Sequence, residues 1–161
     1  AIVFEGLEDL AKRVDDPDLD IEASDIMVLK GAGPVAAGMP EAGYLPIPKK
    51  LARAGVKDMV RISDARMSGT AFGTIVLHIS PEAGTGGPLA AVRNGDRIRL
   101  SVKDKSIDLL MSDQDIANRL SEFTPVEGHK RGYRALYEQT VLQAPAGCDF
   151  DFLTQSGKSR K

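Results

Sequence analysis

The chain has 161 residues, 42% hydrophobic and 27% charged, with a net charge of −2, which suits one domain with a real core and leaves too little for two. So small a charge gives no electrostatic footprint for nucleic acid or an anionic membrane surface, and no apolar run approaches bilayer length. The single cysteine, Cys148, excludes an intrachain disulfide and a cysteine-ligated iron–sulfur cluster built from this chain alone, and points to a reducing, cytoplasmic compartment.

The chain opens with AIVFEGLEDL. There is no basic segment followed by an apolar stretch, so no secretory signal is read there. With no initiator methionine and an immediate strand-like run, the expectation is a piece of a longer protein. Residues 1–4 read as a short strand, and Leu7, Leu10, Ala11 and Val14 then share one face of a helix that stops at Asp15-Asp16-Pro17. Residues 15–25 form an acidic connector. Residues 26–29 are a short apolar run of the buried-strand type, leading into the glycine-rich loop KGAGPVAAGMPEAG at 30–43, whose one acid is Glu41. Residues 46–54 fit a helix with Pro48 near its first turn and Gly55 as its stop.

The next stretch is the most informative. A strand-like run at 58–62 and another at 74–80 flank SDARMSGTAFG at 63–73. Strand, polar loop and strand bring a side chain to a rim while rigid elements hold it. Residues 84–88 form a turn region, and 88–93 fit a helical turn or a strand. Asn94-Gly95-Asp96 turns into a half-buried strand at 97–102, and Lys103-Asp104-Lys105 turns that into a partner at 106–111, the clearest hairpin. Ser112 and Asp115 form a capping box for a helix carrying Ile116, Leu120 and Phe123. A second helix at 132–143 is expected to face Tyr133, Leu136, Tyr137 and Val141 inward. Residues 1–153 read as one domain and the polar, basic 154–161 as a disordered tail. The expected class is α+β, β-rich, with a closed or nearly closed sheet.

By residue type, Ser68 is first a turn serine satisfying its own backbone. It becomes a base only where metal ions, backbone N–H groups or cations stabilise its alkoxide. Arg66 could supply positive charge there, Gly69 leaves room for close approach, and Thr70 could hydrogen-bond a hydroxylated substrate. Glu41 is first a solvated loop acid, and one carboxylate does not make a hard-cation site. His78 reads as packed or hydrogen-bonded and His129 as solvent-facing, so no zinc constellation arises. A triad of Ser68, His78 and an aspartate lacks the nucleophile elbow. The glycines at 31–33 lack the dinucleotide and P-loop signatures.

GMPE at 38–41, SDARMSGTAFG at 63–73 and HISPEAGTGGPLAAVRNGDRI at 78–98 together resemble the C-terminal part of the dihydroxy-acid and sugar-acid dehydratase family. ARMSGTAFGT, with GCDFDFL at 147–153, is more similar to the sugar-acid (aldonate) branch, of arabinonate and xylonate type, than to the branched-chain amino acid branch. The blocks keep the family's order from FEG at 4–6 to Leu153. The resemblance implies a barrel-like swivelling domain related in shape to that of aconitase-type enzymes. It implies a hydro-lyase that removes water from a 2,3-dihydroxy acid to give a 2-keto-3-deoxy acid. Ser68 would be the base at C2 and Glu41 a ligand of Mg²⁺. An iron–sulfur cluster, 2Fe–2S in the sugar-acid branch, would have its ligands in an N-terminal domain that this chain lacks. The parent would be a homo-oligomer with its site between domains, and this piece alone folded but silent. The other readings are a stand-alone binding or regulatory domain of the same fold and the dihydroxy-acid dehydratase of branched-chain amino acid synthesis.

Overall fold

The structure is a computed structural model that describes residues 1–41, 45–69, 71–125 and 127–154. Its centre is a four-stranded sheet of β1 (Ile2–Glu5), β2 (Met27–Lys30), β3 (Arg61–Ser63) and β4 (Ile75–Val76), paired in that order and parallel throughout. Parallel neighbours need crossovers. Helix α1 (Leu7–Arg13) lies between β1 and β2, while α2 (Pro34–Ala37) and α3 (Lys49–Arg53) lie between β2 and β3.

The sequence dictates this layering. Alternate strand residues point to opposite faces, and the two faces fill separate cores. Phe4, Met27 and Leu29 pack with Leu10, Val14, Ile21, Leu45 and Met59 on one side. Val3, Val28 and Ile62 pack with Ala83, Leu89 and Val92 on the other. Every residue of β2 is buried, the signature of a central parallel strand covered on both faces. Each fully buried large apolar side chain contributes about 1.5–3 kcal/mol.

A two-stranded antiparallel hairpin, β5 (Ile98–Ser101) and β6 (Ser106–Leu109), forms a second sheet whose Ile98 and Leu109 pack against the second core. Helix α4 (Asp113–Ser121) starts at Ser112, whose Oγ accepts the Asp115 amide at 3.1 Å, as the capping box requires. Helices α5 (Gly132–Thr140) and α6 (Asp151–Thr154) complete the chain, and α5 packs against α2.

The mixed α+β class stands, with three differences from expectation. The described strands form an open parallel sheet, and closure into a barrel is not found among them. The run at 74–80 yields only the two residues of β4, because His78 turns into the left-handed region at φ 57° and is exposed rather than packed. Helix α5 buries Ala135, while Tyr133 is 91% and Leu136 50% exposed. Of the residues expected inward, Tyr137 is half-buried and Val141, just past the helix, is buried, so only Tyr133 and Leu136 depart from the expected face. The tail at 155–161 lies outside the described residues.

Candidate functional site

Because β2 and β3 run parallel, the segments that follow them leave from the same edge of the sheet. In open sheets with parallel strands, the crevice beyond the carboxyl ends is where ligands bind. The Glu41 loop follows β2 and the Ser68 loop follows β3, so topology alone places both on one rim. They meet there: Glu41 and Arg66 form an isolated parallel bridge, with Arg66 Nη2 3.9 Å from Glu41 Oε2. Both side chains are about half exposed, so this ion pair adds only about 0–1 kcal/mol. It matters as a juxtaposition of cation and carboxylate.

Ser68 is half-buried, and its carbonyl accepts the Ala71 amide at 3.0 Å, while the preceding Met67 packs onto the core. An added Cβ at Gly69 would meet nothing within 4 Å. Thr70 lies outside the described residues. His78, expected as packed or hydrogen-bonded, has an exposed side chain, and its amide donates to the Ala65 carbonyl at 3.1 Å. His129 sits elsewhere, with Nδ1 2.7 Å from Glu138 Oε1.

Three buried charged residues that residue-type reasoning passed over build the rim. Asp64, fully buried, accepts the amides of Gly31 at 3.1 Å, Ala32 at 3.0 Å and Ala83 at 3.0 Å. Burial pushes its carboxyl above the ordinary range, and those three donors only partly offset the rise. Glu82, equally buried, accepts the amides of Val35 at 2.7 Å and Ala36 at 3.0 Å, at the start of α2. An added Cβ at Gly33 would fall 2.5 Å from Glu82 Oε2, so glycine permits this approach. Arg61, 1% exposed, donates to carbonyls in both loop regions. The signal for these residues was their placement beside the glycine-rich stretches, but acids and arginines there read equally well as solvated.

Among the described residues no three His, Cys, Asp or Glu side chains group as a metal site. Glu41 offers one oxygen ligand, which cannot hold Mg²⁺ without donors from elsewhere. Cys148 is half-buried with Sγ 3.1 Å from Met39 Sδ, and burial pushes its thiol above the ordinary range. One protonated thiol does not fit an iron–sulfur cluster. A cavity of about 980 Å³ is lined by Ala1, Ile2, residues 24–26 and 94–98 among others. It therefore opens at the amino ends of β1 and β2, away from the two loops. A cavity of about 390 Å³ between α2 and α5 includes Gly38 and so adjoins the Glu41 loop.

Fold and rim together define a mixed α+β domain that presents a serine, an arginine and a carboxylate on two neighbouring loops. Residues 1–148 match the family model described as Dihydroxy-acid/6-phosphogluconate dehydratase C-terminal, and the chain belongs to that family. It is 53% identical over 161 residues to the L-arabonate dehydratase of Azospirillum brasilense, a match covering 95% of this chain and 28% of that protein. It is 50% identical over 161 residues to the 6-deoxy-6-sulfo-D-gluconate dehydratase of Pseudomonas putida, covering 99% of this chain and 28% of that protein. Against the dihydroxy-acid dehydratase of Pyrococcus abyssi (strain GE5 / Orsay) identity is 36% over 152 residues, covering 93% and 27%. The chain thus spans little more than a quarter of the length of these curated relatives.

Proposed function

We propose that this chain is the C-terminal domain of a sugar-acid dehydratase, a hydro-lyase that converts a 2,3-dihydroxy acid of aldonate type to a 2-keto-3-deoxy acid. The observation that carries the reading is the meeting of the Glu41 and Ser68 loops at one sheet edge, joined at Glu41 and Arg66. Identity of 50% and 53% to two relatives named for sugar-acid substrates supports the aldonate class over the branched-chain one.

In this reading Ser68, as the alkoxide, takes the proton from C2 of the substrate. Arg66 adds positive charge close to the enolate-like charge that develops, and such preorganised charge is the larger catalytic contribution. Gly69 lets the substrate approach the backbone, and Thr70 would hydrogen-bond a substrate hydroxyl. The 3-hydroxyl departs as water with the proton that Ser68 took from C2, which restores the alkoxide, and the enol left behind becomes the ketone. Glu41 would contribute one ligand to Mg²⁺. The other Mg²⁺ ligands and all ligands of an iron–sulfur cluster would come from the rest of the parent, so the isolated domain should be folded and without activity. The parent is proposed to be a cytoplasmic homo-oligomer with its site between domains.

The test is anaerobic production of the full-length parent and assay of 2-keto-3-deoxy acid formation from a panel of aldonates, beside Ser68→Ala. Loss of about 10²–10⁴-fold in kcat, with the cluster still bound, is the result expected for removing the base. Full activity in the variant would remove Ser68 from that role. No turnover of any aldonate or branched-chain dihydroxy acid by a loaded parent would favour a binding domain of the same fold.

A further inference from the structure

Arg61 poses a question of economy. Its side chain is 1% exposed, and a buried ion pair is on average no better for stability than well-packed apolar side chains. The groups it holds supply the reason. Nε donates to the Met59 carbonyl at 3.1 Å, Nη1 to the Leu45 carbonyl at 3.0 Å, and Nη2 to the Phe72 carbonyl at 3.0 Å and Asp58 Oδ1 at 2.9 Å. Leu45 stands just beyond the loop that carries Glu41, and Phe72 closes the segment that carries Ser68. The rigid guanidinium fork reaches both carbonyls at once, which the single ammonium of a lysine does poorly.

The near ends of the same loops are joined by Asp64, which opens the Ser68 loop and accepts the amides of Gly31 and Ala32 at the root of the other. Gly73 completes the far end. Its φ is +108°, and an added Cβ there would collide with Arg61 Nη2 and Asp58 Oδ1. Glycine leaves the space that the guanidinium occupies.

We propose that Arg61 is a positioning residue for the rim: by bridging the Leu45 and Phe72 carbonyls it fixes the Glu41 loop against the Ser68 loop. Its consequence for turnover rests on the dehydratase reading, whereas the coupling of the two loops does not. Arg61 acts through Glu41 and Ser68 and touches no reacting atom.

Hydrogen–deuterium exchange and steady-state kinetics on the full-length parent test this, with Arg61→Lys and Gly73→Ala beside the wild type. Lysine can serve one carbonyl; the added methyl of Gly73→Ala crowds the guanidinium without removing it. In both variants, peptides containing Glu41 and peptides containing Ser68 should exchange faster together, by about ten-fold, while β2 keeps its protection. With cluster content unchanged, kcat should fall about ten-fold or more and KM change less than about three-fold, because misplaced groups fail chiefly in the transition state. Faster exchange in only one loop, or loosening that extends through β2, would overturn the clamp. Paired loosening with kcat intact would remove the positioning role. Should Arg61→Lys not fold, Gly73→Ala carries the same readouts. If the wild-type parent turns over no dihydroxy acid, the exchange result still decides the coupling, and only the kinetic arm falls with the dehydratase reading.

Discussion

Glu82 and Gln143 hold each other by two hydrogen bonds: the Glu82 amide donates to Gln143 Oε1 at 2.8 Å, and Gln143 Nε2 donates to Glu82 Oε1 at 2.9 Å. The same Glu82 carboxylate takes the first amides of α2. A residue near the end of the chain thereby steadies the loop that carries Glu41.

Gln143→Ala should destabilise the domain by about 1–3 kcal/mol, because it leaves the fully buried Glu82 with an unmet amide and one donor fewer. Urea denaturation with the slope held constant checks it. A change within about 0.5 kcal/mol, the level of an ordinary surface substitution, would mean that water serves Glu82 equally well.

Asp64→Asn should cost a similar amount, about 1–3 kcal/mol. The carboxylate accepts three amides across both oxygens, and an asparagine must turn its own N–H₂ toward at least one of them. Near-neutral stability in the variant would show that the loop roots are held by packing alone.

The pH dependence has opposed parts. Burial raises Asp58, but the Thr74 hydroxyl and amide, the Met59 amide and Arg61 together bring it below the ordinary range. Burial likewise raises Asp96, and Arg119 and the Arg93 amide outweigh it. A depressed carboxyl contributes stability above its unfolded pKa of about 4, and that stability is lost as pH falls through the folded value. Asp64 is raised, so its contribution is greatest in acid and is lost as pH rises through its folded value. Melting temperature should therefore fall below pH about 4, and Asp58→Asn should flatten that fall; an unchanged acid limb in the variant would remove Asp58 from this account.

On α5, Ala135→Leu should cost about 1–3 kcal/mol by overpacking, whereas Tyr133→Ser should change stability by no more than about 0.5 kcal/mol. Thermal or chemical melting of both variants checks it, and the reverse order would place the helix on its other face.

Local pattern was legible wherever one segment decided its own state. The strands β1 and β2, helix α1, the hairpin and the Ser112 cap follow from apolar spacing and turn residues. The pairing of β1 through β4 is non-local, and no strand of four residues or fewer states which neighbour it takes, so strand content was legible while the expected closed or nearly closed sheet is not found among the described strands. On α5 the expected face holds for Tyr137 and Val141 but not for Tyr133 and Leu136, which are exposed, because periodicity counts apolar residues and does not say how wide a face a neighbour covers. At the site, Glu41 and Arg66 meet across the two loops, and Ser68 and Gly69 follow Arg66 on the same loop. Arg61, Asp64 and Glu82 were not singled out, because their role lies in which distant backbone groups they meet.

Strand β2 is a shared wall, with Met27 and Leu29 in one core and Val28 in the other. Neither half of the domain can melt while the other stays dry, so the two cores should open as one cooperative unit. The Glu41 loop springs directly from that strand. Movement of the Glu41 loop must therefore be absorbed within the loop itself, over a foundation that does not yield.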